Sequence, residues 1–196
     1  MNRRAPEAGD NKGDSLGLYL HIPFCARKCL YCDFLSFPAS EETRRLYIKR
    51  LSEEIRACGR RAGMRERIVD TVFIGGGTPS LLLPEETEAL LEAARASFRV
   101  DAGAEITMEA NPGSFGRAAA GRLRRAGVTR LSLGLQSACD GELARLGRIH
   151  TCRAFLESFD AAREAGFDNV NVDLMSGLPG QTAESFEKTL AFTARL

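Results

Sequence analysis

Three cysteines fall within eight residues of one another, Cys25, Cys29 and Cys32, in the run His21-Ile-Pro-Phe-Cys25-Ala-Arg-Lys-Cys29-Leu-Tyr-Cys32-Asp-Phe34. In a reducing compartment, thiols at this density read as metal ligands. An iron–sulfur cubane has four irons and is usually held by cysteine. Three local thiolates would leave one iron without a nearby cysteine, open to a substrate or cofactor. A structural zinc site is the competing reading, and it closes four protein ligands. His21 offers a fourth, although its spacing from Cys25 fits no common zinc pattern. A disulfide framework is disfavoured. The other three cysteines, Cys58, Cys139 and Cys152, are scattered and read as small hydrophobes.

Gly75-Gly-Gly-Thr78-Pro79 is a second feature, because glycines let a backbone approach a ligand closely. No P-loop lysine follows it, which disfavours a nucleotide triphosphate site. The third feature comes from period-two alternation. Ile106, Met108 and Ala110 share one parity, with Thr107 and Glu109 on the other. Leu131, Leu133 and Leu135 stand opposite Ser132, Gly134 and Gln136, and Val170, Val172 and Leu174 opposite Asn169, Asn171 and Asp173. Leu18, Leu20 and Ile22 stand opposite Tyr19 and His21 in the same way. Glu109, Gln136 and Asp173 thus close three strands on the polar parity.

The elements that must position these groups alternate strand and helix. Strands are expected at Leu18–Ile22, Thr71–Ile74, Glu105–Ala110, Arg130–Leu135 and Asn169–Leu174. Helices are expected from Glu41 behind an N-cap at Ser40, from Pro84 to Phe98, and within Arg117–Ala126 up to Gly127. Two more are expected from Cys152 to Ala165 behind Thr151, and from after Thr182 to the chain end. This order implies an α/β fold with a parallel sheet and right-handed crossovers. A doubly wound sheet and an α/β barrel both satisfy it. In a barrel the apolar parity packs on outer helices, the polar parity lines the interior, and active sites gather at the carboxyl rim. Five strand–helix units fall short of an eight-unit barrel, so a partial barrel or part of a longer protein is expected.

With 44% hydrophobic and 27% charged residues, the 196-residue chain can bury a real core. Residues 16–196 show no linker and read as one domain. Residues 1–15 are polar, lack the apolar stretch of a signal peptide, and read as a disordered leader on a cytoplasmic protein. A net charge of +1 calls for no polyanionic partner such as nucleic acid. The apolar runs are too short for a membrane span.

The C-x-x-x-C-x-x-C spacing, with Tyr31 before the third cysteine, resembles the signature of the radical S-adenosylmethionine (SAM) superfamily. The resemblance implies a [4Fe–4S] cluster on Cys25, Cys29 and Cys32, with the amine and carboxylate of SAM on the unique iron. One-electron reduction then releases a 5′-deoxyadenosyl radical, chemistry that the protein positions and insulates. The Gly75–Pro79 run resembles the family's GGTP turn, whose carbonyls would accept hydrogen bonds from the methionyl ammonium. Leu18-Tyr-Leu-His-Ile-Pro-Phe-Cys25, Glu109-Ala-Asn-Pro112, Leu131-Ser-Leu-Gly-Leu-Gln-Ser137, Leu146-Gly-Arg-Ile-His150 and Asp173-Leu-Met-Ser-Gly-Leu-Pro-Gly-Gln-Thr182 resemble the coproporphyrinogen III oxidase-like group. That resemblance runs from about Leu16 to the end. It implies a partial (βα)6-type radical SAM barrel with about five units present and the C-terminal part missing. It also implies that Tyr19 and Tyr31 lie beside the cofactor and that Gly76, Gly77 and Thr78 hold its methionyl part. Glu109, Gln136, Arg148 and Asp173 would contact the rest. No catalytic side chain is implied beyond the cluster.

This group contains porphyrin oxidases and heme chaperones of the HemW type. The oxidases carry a further cysteine two residues after the third, where this chain has Phe34, and a longer segment before the cluster, where this chain has 24 residues. Cys32-Asp-Phe34 resembles the chaperones. The resemblance therefore implies heme as cargo, heme-accepting proteins as partners and an electron donor for the cluster. Radical decarboxylation of coproporphyrinogen III is the alternative, and a domain that keeps the fold without a cluster is a third reading.

Overall fold

A computed structural model describes residues 15–196. The expected disordered leader lies outside the described residues except for Ser15, which already opens a strand. Five strands, β1 (Ser15–Ile22), β2 (Ile68–Gly76), β3 (Arg99–Ala110), β4 (Arg130–Gln136) and β5 (Asn169–Leu174), form one sheet in the order β1-β2-β3-β4-β5. Every neighbouring pair is parallel. A doubly wound sheet reverses its strand order partway, and this one never does. Each right-handed crossover therefore advances in the same direction and leaves its helix on the same face. The result is an arc of an α/β barrel.

The helices are α1 (Glu41–Gly59), α2 (Pro84–Ser97), α3 (Arg117–Ala126), α4 (Asp140–Arg145), α5 (Cys152–Glu164) and α6 (Ala183–Thr193), with a 3-10 turn at Pro79–Leu81. Along the outside, α1 packs on α2, α2 on α3 and α3 on α5. Their boundaries follow local chemistry. The Ser40 and Thr151 side chains accept from the amides of Thr43 and Ala154, and Gly127 closes α3 in the left-handed region at φ 104°.

The apolar parity of the strands meets these helices. Leu20, Ile22, Val72, Ile74, Ile106, Met108 and Leu131 form one buried cluster with Ile48 and Ile55 of α1, Leu90 and Leu91 of α2 and Leu123 of α3. Leu133 and Leu135 continue it against Phe155 and Phe159 of α5. Each such side chain contributes roughly 1.5–3 kcal/mol over leaving it in water. The register is strongly fixed, since a slip of one residue would turn this row inward.

Several boundaries depart from the sequence expectation. β1, β2 and β3 start earlier than their alternation does, because their first residues pair in a separate register. Ser15 and Leu16 pair with Ile68 and Val69, and these with Arg99 and Val100, before the ladders shift. The exposed Asp101-Ala-Gly103 segment carries the extra residues of β3, and the Asp101 carboxylate accepts from the Gly103 amide at 2.7 Å. Helix α4 was not expected, as six residues are too few to display a helical period. The last helix stops at Thr193 rather than at the chain end. Among the described residues no helix is long and apolar enough to cross a membrane.

Candidate functional site

The carboxyl ends of the strands and the loop after β1 enclose a cavity of about 130 Å³. The loop is brought there by backbone pairing that outlasts the strands. Gly77 and Thr78 donate their amides to the carbonyls of Ile22 and Phe24, at 2.8 and 2.7 Å. A Cβ on Gly77 would stand 2.6 Å from the Phe24 carbonyl oxygen, so only glycine lets the two chains approach this closely. Phe24 is fully buried, edge-on to Phe37 and Tyr47. The Cys25 amide donates to Phe37 at 3.1 Å, and Leu30 donates to Leu146 at 3.0 Å.

Cys25, Cys29 and Cys32 all line this cavity, together with Tyr31 and Phe34 from the same loop. Among the described residues no three His, Cys, Asp or Glu side chains converge at the spacing of a single bound ion. Two of the thiols receive hydrogen bonds, Cys25 from the Thr78 hydroxyl at 3.5 Å and Cys29 from an Arg148 Nη at 3.8 Å. Donors at sulfur stabilise the thiolate, as ligands to iron require. A soft donor set with hydrogen-bonded sulfurs fits a cluster better than a hard cation.

Gly76, Gly77, Thr78, Glu109, Gln136, Arg148 and Asp173 line the same cavity. Glu109 accepts from the Gly76 amide at 2.9 Å. Burial pushes its carboxyl up and the Asp173 charge adds to this, while the Gly76 N–H and His21 pull the other way; the net direction is up. Asp173 is held by the Ser132 hydroxyl and by the Asn171 amide, the latter at 2.6 Å. Gln136 is the one described non-glycine residue with a positive φ, at 68°. The β4–β5 register shifts between Gly134 and Gln136, and a bulge of this kind re-aims a side chain at a strand end. Such a backbone costs roughly 1–3 kcal/mol and persists only where its surroundings hold it. Here Met175 donates its amide to the Gln136 carbonyl at 3.0 Å.

Tyr31 stands on this cavity, and burial pushes its phenol up. Tyr19 does not line it. Its ring stacks on Phe73 with centroids 5.9 Å apart, its hydroxyl reaches His21 at 3.3 Å, and it is 59% exposed. Arg148 follows α4 and bonds Gly134 and Asn111, while its Nε is buried with no acceptor among the described residues. That orphaned N–H is a donor still without a partner beside the cavity.

Sequence reasoning gave no role to Asn111, Ser132 or Glu142. Asn111 lies inside a quoted motif but has no periodic or spacing signal of its own. It contacts Thr78 and Arg148 and lines a second cavity of about 230 Å³ on the far side of them. That cavity also holds His150, which burial and the nearby Arg148 charge push down to about 4, leaving the ring neutral. Glu142 is a buried carboxylate of α4 that accepts from the hydroxyls of Ser137 and Ser185, both at 2.6 Å, and from the Gln181 amide at 3.2 Å. Burial alone would push Glu142 up, but these three donors more than offset it and hold it below the ordinary carboxylate range. It binds the end of β4 to the start of α6 from behind the site.

Comparison with known proteins bears on this arrangement. The chain is 44% identical over 170 residues to the heme chaperone HemW of Escherichia coli, covering 86% of this chain and 44% of that protein. It is 38% identical over 178 residues to the mitochondrial radical S-adenosyl methionine domain-containing protein 1 of Bos taurus, covering 91% of this chain and 39% of that one. The fold superposes on the coproporphyrinogen III oxidase HemN of Escherichia coli, a radical SAM enzyme, with a TM-score of 0.84 at 33% identity, over 93% of this chain and 42% of that one. The chain therefore spans less than half the length of these relatives. The expected fold class, a partial barrel of this type, is the one observed. The radical SAM family model matches residues 19–193, nearly the whole described chain, and with that match the chain belongs to the radical SAM superfamily.

Proposed function

We propose that this chain is the core of a HemW-type heme chaperone, in which Cys25, Cys29 and Cys32 hold a [4Fe–4S] cluster with SAM on the open iron. What carries the reading is the convergence of all three cysteines, the glycine turn and four polar residues between β3 and β5 on one cavity. Family membership and 44% identity to a heme chaperone support it. When bound, the cluster and SAM supply one-electron chemistry. The protein's own groups then have simpler tasks. Gly76, Gly77 and Thr78 receive the methionyl part of SAM. Glu109, Gln136, Arg148 and Asp173 orient the remainder, and Tyr31 shields the cluster side, with Tyr19 further out on the same sheet face. Residues 16–196 act as a single domain. Heme is the cargo, acceptor proteins receive it, and a separate donor reduces the cluster. All six cysteines are free, in keeping with a cytoplasmic, reducing setting.

Oxidative decarboxylation of coproporphyrinogen III is the second reading, favoured by the superposition on HemN. Phe34 argues against it. It occupies the position where the resemblance places a further cysteine in the oxidases, and it is 70% exposed at the cavity edge.

Anaerobic reconstitution with iron and sulfide tests the cluster. Visible charge-transfer absorbance should appear and should vanish in Cys25→Ala, Cys29→Ala and Cys32→Ala. Absorbance that survives these changes would end both readings. Hemin added to the reconstituted protein should give a saturable Soret shift, and coproporphyrinogen III should remain unconverted. Turnover to protoporphyrinogen would replace chaperone by oxidase.

A further inference from the structure

Two of the three thiols are joined by a continuous chain of hydrogen bonds. Arg148 Nη1 donates to Asn111 Oδ1 at 2.9 Å and reaches the Cys29 sulfur at 3.8 Å. Asn111 Nδ2 donates to Thr78 Oγ1 at 2.9 Å, and Thr78 Oγ1 donates to the Cys25 sulfur at 3.5 Å. The directions are fixed by chemistry. A guanidinium has donors only, so the Asn111 atom facing it must be the carbonyl oxygen. The amide nitrogen therefore faces Thr78. That nitrogen is also only a donor, so the Thr78 oxygen must accept from it, and the single hydroxyl proton is left for Cys25. Thr78 is 3% exposed, which leaves little room for water to take over either bond.

We propose that Asn111 is a positioning residue that aims the Thr78 hydroxyl at the Cys25 sulfur, and thereby raises the reduction potential of the cluster bound there. This rests on the cluster reading given above. A hydrogen bond to a ligating sulfur favours the reduced, more negative cluster. The Asn111 amide holds the donor in place because it can do two opposite things at once, accepting from Arg148 and donating to Thr78. An aspartate of the same shape cannot. It still accepts from Arg148, more strongly as an ion pair, but it also captures the Thr78 proton, and the Cys25 sulfur loses its donor.

The test uses the wild-type chain, Asn111→Asp, Thr78→Val, Thr78→Ser and the Asn111→Asp/Thr78→Val double variant. Each is reconstituted anaerobically without SAM and titrated potentiometrically, with the reduced cluster read by electron paramagnetic resonance. Thr78→Val is isosteric and Asn111→Asp keeps the Arg148 contact. Far-UV circular dichroism checks that the fold is retained, and Thr78→Ala gives a second way to remove the hydroxyl. Thr78→Val should lower the potential and Thr78→Ser should leave it near wild type. Asn111→Asp should lower it further, because it adds a negative charge to the lost donor. In the Thr78→Val background only the charge remains to act, so Asn111→Asp should then have a smaller effect. Equal effects in the two backgrounds, or a Thr78→Val potential equal to wild type, would overturn the proposal. A wild-type chain that forms no cluster would instead overturn the reading on which it rests.

Discussion

Leu30, Phe34 and Leu35, in and just after the cysteine loop, are 76, 70 and 73% exposed. Across the cavity the polar side chains Ser132 and Gln136 are each only 8% exposed. Polarity and burial are thus inverted between the two sides. The loop turns its large apolar groups outward and has few backbone bonds to the barrel, among them Thr78 to Phe24 and Leu30 to Leu146. The strand-end wall is locked by parallel ladders and by side-chain bonds such as Ser132 and Asn171 to Asp173. In the reading proposed here, the wall is preorganised for the cofactor, while the thiols depend on the metal to complete their ordering.

That contrast can be broken first from behind the wall. Glu142→Ala leaves the hydroxyls of Ser137 and Ser185 and the Gln181 amide without their shared acceptor. It should destabilise the chain by about 3 kcal/mol, read as the urea midpoint. A change under about 1 kcal/mol would mean the wall is not locked through this carboxylate. The seam between loop and wall is the next target. Gly77→Ala puts a methyl against the Phe24 backbone, which cannot yield as a flexible side chain would. A loss of about 2 kcal/mol is expected, with weaker cluster retention after reconstitution.

The smallest effect has the opposite sign. Glu109 binds a proton more readily in the fold than in the unfolded chain, chiefly through burial. Its contribution is therefore best at acidic pH and is lost as pH rises from the ordinary carboxylate range through its raised value. Glu109→Gln should make the cofactor-free chain more stable at neutral pH, by up to about 1 kcal/mol, with the difference vanishing in acid. The same variant should bind SAM less well. Equal stability at both pH values would show that Glu109 is at ease in the fold.

The strand-end wall was more legible in the sequence than the network behind it. Period-two alternation alone placed Glu109, Gln136 and Asp173 on one face, because one face of each strand must meet a helix. It did not reveal that winding runs one way, since connection direction leaves no mark on a strand's own residues. Arg148 came only from resemblance, as the six-residue α4 before it is too short to show a period. Glu142 was hidden for a different reason. Its partners Gln181 and Ser185 lie 39 and 43 residues away, and Asp140-Gly-Glu142 in isolation looks like a solvated turn. Tyr19 shares the inward parity but is spent on Phe73 and His21, which no spacing rule distinguishes from facing a ligand.

Asn111 is followed by Pro112. Asparagine ages to aspartate when the next residue's backbone nitrogen attacks the side-chain carbonyl, and proline has no N–H with which to close that ring. The amide that orients Thr78 is thereby shielded from the commonest spontaneous route to Asn111→Asp. A side chain whose oxygen and nitrogen must do opposite jobs sits where the chain's own chemistry cannot slowly make them alike.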